Sequence, residues 1–155
     1  MLTVSNDDFL WFVDLALDTM VAIVRELGDD RASTRPNLEG ANSPYAILTH
    51  CTGVMEFWGG YTVAGRQIVR DRDAEFRAEG RVEDLAVRVA AARRQLEADI
   101  GFMDPTAPPR HPSGPGDEDR PYNKTQGAVL FHILEELFQH LGQMEISRDA
   151  LVGPA

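Results

Sequence analysis

Apolar residues recur at three- and four-residue spacing along four stretches of the chain. In the first, Leu10, Val13, Leu17, Met20, Val24 and Leu27 trace one face of an amphipathic helix. Asn6 is a suitable cap, Asp7 and Asp8 complement the positive helix end, and Gly28 ends the pattern. Residues 29–42 are polar, contain Pro36 and Gly40, and read as a loop. A second helix restarts with Ser43 as cap and Pro44 at the first helical position. From Tyr45 to Val63 only Glu56 is formally charged. Ile47, His50, Val54, Phe57 and Tyr61 form one stripe, and Leu48, Cys51, Met55 and Trp58 the next. A helix apolar over so wide an arc is packed on several sides, and Gly59-Gly60 is expected to bend or end it.

Residues 65–80 alternate in charge and predict a solvated, salt-bridged connection with a short helical turn around Ala74-Glu75-Phe76. A third helix follows from Val82, Leu85, Val89, Ala92, Leu96 and Ile100. The prolines and glycines of residues 104–122 exclude regular structure, and connections of this length are commonly functional or mobile. Thr125 caps a last helix running to about Leu151. Four amphipathic helices without a credible strand predict an all-α fold, a four-helix bundle, in a single domain over residues 1–155. All three connections are long, so a simple up-down-up-down order is not forced.

Composition narrows the setting. A net charge of −10 disfavours nucleic acid and anionic membrane surfaces as partners. No apolar run is long enough to span a membrane, and the N-terminus lacks the basic start and apolar core of a signal peptide. Cys51 is the single cysteine, so no internal disulfide forms and a reducing, cytoplasmic location is expected.

The chemistry is concentrated in the last helix. Glu136 and His140, at i and i+4, lie about 40° apart on the shoulder of the arc formed by Leu130, Ile133, Leu137, Leu141 and Met144. A half-buried carboxylate and imidazole need a partner. His50, the strongly polar group in the middle of the apolar second helix, is a third such group. Two imidazoles and a carboxylate from facing helices suit a metal with an open coordination position, as in catalytic zinc sites; imidazole ligation also admits iron, nickel, copper or manganese. Read one at a time, Glu136 and His140 make a spacing that helices contain by chance, often as an exposed hydrogen-bonded pair, and a lone His50 is more often a satisfied core histidine. The conjunction on two helices is what favours a metal.

His132, one turn before Glu136, is a fourth ligand, an outer partner of Glu136 or a helix-face residue, the last two preferred because it points further from the core. Gln143 either bonds ligand or substrate or closes local packing. Cys51 points about 100° from His50 and reads as a small core residue rather than a nucleophile. His111 reads as solvated, and Trp11 and Trp58 as core or interface. Arg66, Arg70 and Arg72 could receive an acidic substrate, but their acidic neighbours favour solvated pairs.

Asn42-Ser43-Pro44, Leu48-Thr49-His50-Cys51-Thr52-Gly53-Val54 and His132 with Glu135-Glu136-Leu137-Phe138-Gln139-His140-Leu141-Gly142-Gln143 resemble the DinB-like superfamily. They look most like its thiol-dependent branch, which includes the metal-binding domain of mycothiol-dependent maleylpyruvate isomerase and the mycothiol S-transferases. The run Ala64-Gly65-Arg66, then Arg70-Asp71-Arg72-Asp73-Ala74-Glu75-Phe76, is also similar, so only the proline-rich stretch is left unplaced. The resemblance implies an up-down-down-up four-helix bundle, a homodimer, and His50, Glu136 and His140 as metal ligands. Many DinB-like proteins carry histidine at the position of Glu136, and glutamate there points to the thiol-dependent branch. The isomerases have a further C-terminal domain and this sequence ends at Ala155, so a single-domain transferase is expected.

The leading expectation is therefore a metal-dependent transferase, with zinc as the expected ion, using mycothiol or a similar thiol against a small electrophile. The alternatives are a non-enzymatic metal-binding or stress-related interaction module, and a metal-dependent hydrolase, which lacks an evident general base.

Overall fold

The computed structural model describes residues 4–114 and 116–153. Residues 1–3 of the N-terminal reading and Pro115 of the proline-rich stretch lie outside them. Helix α1 spans Asn6–Ala32, α2 Pro44–Val54, α3 Arg72–Glu75, α4 Val82–Ile100 and α5 Gln126–Val152. A π-helical segment, Met55–Val63, continues α2, and a 3-10 turn, Pro121–Asn123, precedes α5. The described residues contain no strand, in agreement with the all-helical expectation.

The first helix is capped by Ser5, not Asn6. The Ser5 hydroxyl accepts from Asp8 N at 3.0 Å while Asp8 accepts from Ser5 N, a reciprocal capping box. Gly28 does break the helix, with φ 70° and ψ 172°, a conformation that glycine alone reaches cheaply, but helical backbone resumes beyond it to Ala32. The polar loop is therefore shorter than its composition suggests.

Ser43 and Pro44 start α2 as their order requires, Ser43 accepting from Ala46 N at 3.2 Å. Every residue of α2 is buried. At Met55 the winding loosens to the π form, which Gly59-Gly60 passes through rather than ends; Ala64 N bonds Gly59 O at 2.9 Å, five residues back. One apolar core joins Val13, Leu17 and Met20 of α1, Leu48 of α2, Leu85 and Leu96 of α4 and Ile133 and Leu137 of α5. Helix α2 packs against α1, α4 and α5 together, which is why none of its faces is exposed.

The proline-rich stretch is irregular but tied down. Arg110 N donates to Thr62 O, Gln126 N to Ala107 O and Gly127 N to Pro105 O, at 2.9, 2.9 and 3.0 Å. His111 is not simply solvated: its ring stacks on Tyr61 at 4.5 Å.

Candidate metal centre

His50, 1% exposed, projects from the middle of α2 toward α5. There Glu136 and His140, one turn apart, face it. His50 Nε2 lies 3.5 Å from Glu136 Oε2, and His140 Nε2 lies 3.4 Å from the same oxygen. One donor atom from each of the three residues falls within 4.8 Å of the others. Donors about 2.0–2.1 Å from a tetrahedral zinc ion stand about 3.3 Å apart, so both nitrogen–oxygen separations already match a shared ion.

The hydrogen bonds explain which atoms face inward. His50 Nδ1 meets Glu75 Oε2 at 2.8 Å. Burial favours protonation of Glu75, yet His50 and the Arg70 guanidinium hold its carboxyl below its ordinary range. An ionised carboxylate only accepts, so Nδ1 carries the proton and Nε2 is left toward Glu136. His140 Nδ1 is likewise paired, with Gln143 Oε1 at 2.8 Å, and His132 Nδ1 with Glu135 Oε2 at 2.9 Å. All three imidazoles thus turn Nε2 toward Glu136.

A neutral imidazole nitrogen facing a carboxylate places lone pair against lone pair. His50 Nε2 is a buried polar atom with no hydrogen-bond partner among the described residues. Protons on the imidazoles or a cation between the donors would answer this. The neighbouring His140 and His50 imidazoles hold Glu136 well below the usual carboxylate range, although burial opposes them. Burial pulls the His50 pKa down, but the facing Glu136 and Glu75 carboxylates outweigh it and the net shift is upward. The donor set fits a divalent metal bound through two imidazoles and one carboxylate.

His132 sits beside this trio, its Nε2 3.8 Å from Glu136 Oε1. It is not a helix-face residue turned from the core: its ring stacks on Tyr122 at 4.2 Å and meets Trp58 edge-on at 4.5 Å. Tyr122 is the point at which the proline-rich stretch reaches this cluster. Trp58 is buried, whereas Trp11 is 61% exposed. Cys51, next to His50 in α2, is buried, and burial pushes its thiol pKa far up, so it offers no thiolate. A cleft of about 420 Å³ opens beside His140 and Gln143, walled by Leu38, Ile47, Arg72 and Phe76.

The charged run 65–80 is more structured than its alternation of signs suggests. Arg66 forks onto Asp99 at 2.9 and 2.8 Å, and Arg70 onto Glu75 at 2.7 and 2.9 Å. Arg72 instead stands over the Phe76 ring at 5.1 Å. Glu75 and Phe76 carry no functional signal in the sequence, and Arg70, expected in a solvated pair, instead makes a largely buried one with Glu75. No period links Glu75 to His50, and the nearest signal was the expected helical turn around it.

The family model for mycothiol-S-transferase matches residues 8–153. The chain belongs to the mycothiol-S-transferase family. This family lies within the DinB-like superfamily, and the match extends through the proline-rich stretch that resemblance alone left unplaced. No curated protein and no solved structure matches the chain. Membership implies a thiol-dependent transferase that takes a small-molecule thiol. No described helix is long and apolar enough to cross a membrane.

Proposed function

We propose that this protein is a metal-dependent thiol S-transferase. His50, Glu136 and His140 hold a divalent metal, zinc in the first instance, and mycothiol or a similar thiol is the nucleophile toward a small electrophile. The observation that carries this reading is His50 Nε2, buried, without a hydrogen-bond partner among the described residues and aimed at Glu136. When bound, such an ion supplies Lewis acidity that draws a thiol toward its thiolate near neutral pH. The chain's own residues do the rest. Gln143 holds the His140 ring through Nδ1. The cleft beside His140 admits reactants, with Arg72 and Gln143 polar and Leu38, Ile47 and Phe76 apolar on its walls. His132, packed between Trp58 and Tyr122, supports Glu136 from its other oxygen.

Elemental analysis of natively purified protein, with conjugation of a thiol to a chromogenic electrophile, tests the reading. The expected outcome is about one metal per chain and thiol-dependent turnover lost in His140→Ala. Metal that cannot be restored, or undiminished turnover in that variant, overturns it in favour of an interaction module whose polar trio is structural. Turnover without a thiol would mark a hydrolase.

The same proposal includes a single domain with DinB-like up-down-down-up bundle topology, a cytoplasmic location, and a homodimer. Support for the dimer comes from Trp11, Phe12 and Leu15 on α1 and Phe131 and Phe138 on α5, all more than a third exposed. The Phe12 and Phe138 rings meet across the two helices at 6.4 Å. A second copy would cover such a face. Sedimentation should show a dimer that Trp11→Glu dissociates.

A further inference from the structure

We propose that Glu75, clamped by Arg70 and seated against Gly53, is the positioning residue that sets His50 for metal binding. This rests on the metal reading above and adds to it residues from a segment remote in sequence.

Glu75 is the last residue of the four-residue helix α3, far from both α2 and α5 in the chain. Its Oε2 accepts from His50 Nδ1, and Arg70 occupies both carboxylate oxygens through Nε and Nη2. Both oxygens are therefore committed, and Glu75 faces the nitrogen opposite the one that looks at Glu136. It is placed to orient a ligand, not to be one. Arg70 Nη2 also approaches His50 Nδ1, at 3.3 Å. Both atoms are donors here, so that approach reflects their shared acceptor rather than a bond. The Arg70 guanidinium is itself backed by the Phe57 ring at 5.5 Å.

Gly53 makes this arrangement sterically available. It lies three residues after His50, on the same face of α2 one turn on. A Cβ at position 53 would overlap Glu75 Oε1 and stand 2.7 Å from Glu75 Cδ. Any side chain there would displace the carboxylate from His50. The next residue, Phe76, stacks on the His50 ring at 4.5 Å with 26° between planes. Residues 75 and 76 thus hold the imidazole by one edge and one face. Outer partners of this kind fix the tautomer of a metal-binding histidine, and their loss typically costs about 10–100-fold in metal affinity.

The test measures affinity for cobalt(II) by chelator competition, with the cobalt absorption spectrum, in wild type, Glu75→Ala, Glu75→Gln and Gly53→Ala. Glu75→Ala should weaken binding toward the hundredfold end of that range and alter the spectrum. Glu75→Gln, which keeps an acceptor for Nδ1–H, should stay within about tenfold of wild type. If Glu75→Ala does not fold, Gly53→Ala carries the comparison, because it displaces the carboxylate without removing it. Wild-type affinity and spectrum in the folded Ala variants overturn the proposal. Imidazole nitrogen NMR of the metal-free protein at alkaline pH supplies a second readout. His50 should hold its proton on Nδ1 in wild type and lose that preference in Glu75→Ala. If wild type binds no cobalt, the metal reading fails and the imidazole spectrum decides: the same tautomer in both proteins overturns the positioning role, and a changed one supports it.

Discussion

Two arginine–glutamate forks in this protein have nearly the same geometry and different consequences. Arg25 on α1 grips Glu83 on α4 at 2.8 and 2.8 Å, and Arg70 grips Glu75 at 2.7 and 2.9 Å. The first pair is 53% and 62% exposed, the second 16% and 11%. Water competes for the first and salt screens it, so its removal changes little. The second is mostly withdrawn from water, and its carboxylate has a third partner, His50, whose far nitrogen is unsatisfied. Bond lengths do not separate a surface tie from a brace. Burial does, together with what the acceptor touches next.

The largest expected effect that sharpens this contrast is at the ligands themselves. His50→Ala or His140→Ala should lower metal affinity by more than about 100-fold, beyond what an outer partner costs. Equilibrium dialysis against zinc would read it, and a smaller loss would mean that the trio is not the ligand set.

Metal removal should be next. A ligand at about 100 times its dissociation constant stabilises the native state by about 2.7 kcal/mol. For a chain of this size that is a fall of about 5–10 °C in melting temperature on chelation. An unchanged melting curve after verified metal loss would assign the polar cluster a purely structural role.

The forks can then be compared directly. In metal-free protein, Glu75→Ala should cost about 1.5–3 kcal/mol, the range for a hydrogen bond to a charged group. Glu83→Ala should leave the melting temperature in place. Equal effects in the two variants would erase the distinction drawn from burial.

Dependence on pH gives the finest test. Glu136 is lowered on folding, so its contribution is present above its ordinary value of 4.5 and is lost as pH falls through the folded value. His50 is raised, so its contribution is present below 6.5 and is lost as pH rises through the folded value. Metal-free protein should therefore be most stable between the two. The stabilisation added by metal should grow as pH rises, because the ion displaces the imidazole protons. Urea midpoints from acid to mildly alkaline pH, with and without metal, would show the two trends diverging. Parallel curves would break the link between the His50 proton and the metal site.

Much of this was legible in the chain because it is local. The Ser43-Pro44 start of α2, the period from Val82 to Ile100 and the Thr125 cap each depend on a few neighbouring residues. Glu136 and His140 could be paired by helical arithmetic, and His50 stood out as polar on an apolar helix. The first helix showed the limit of local signals. Asn6 and Ser5 are both good caps, and the choice fell to Ser5 because Asp8 completes a reciprocal pair with it. The segments around His111 and His132 carry no sign of the rings that they meet, Tyr61 for the first and Trp58 and Tyr122 for the second.

Helix positions, the apolar core and the three groups able to share a metal follow from the amino-acid order, since periodicity and capping act over one or two turns. Which arginine pairs with which acid does not. Arg66, Arg70 and Arg72 look alike in sequence, yet one reaches Asp99, one clamps Glu75 and one lies over Phe76. Only packing of the 65–80 segment against α2 and α4 sorts them. Burial there makes an unpaired charge costly, and a buried histidine with one free nitrogen draws its acceptor from whatever element lies within reach.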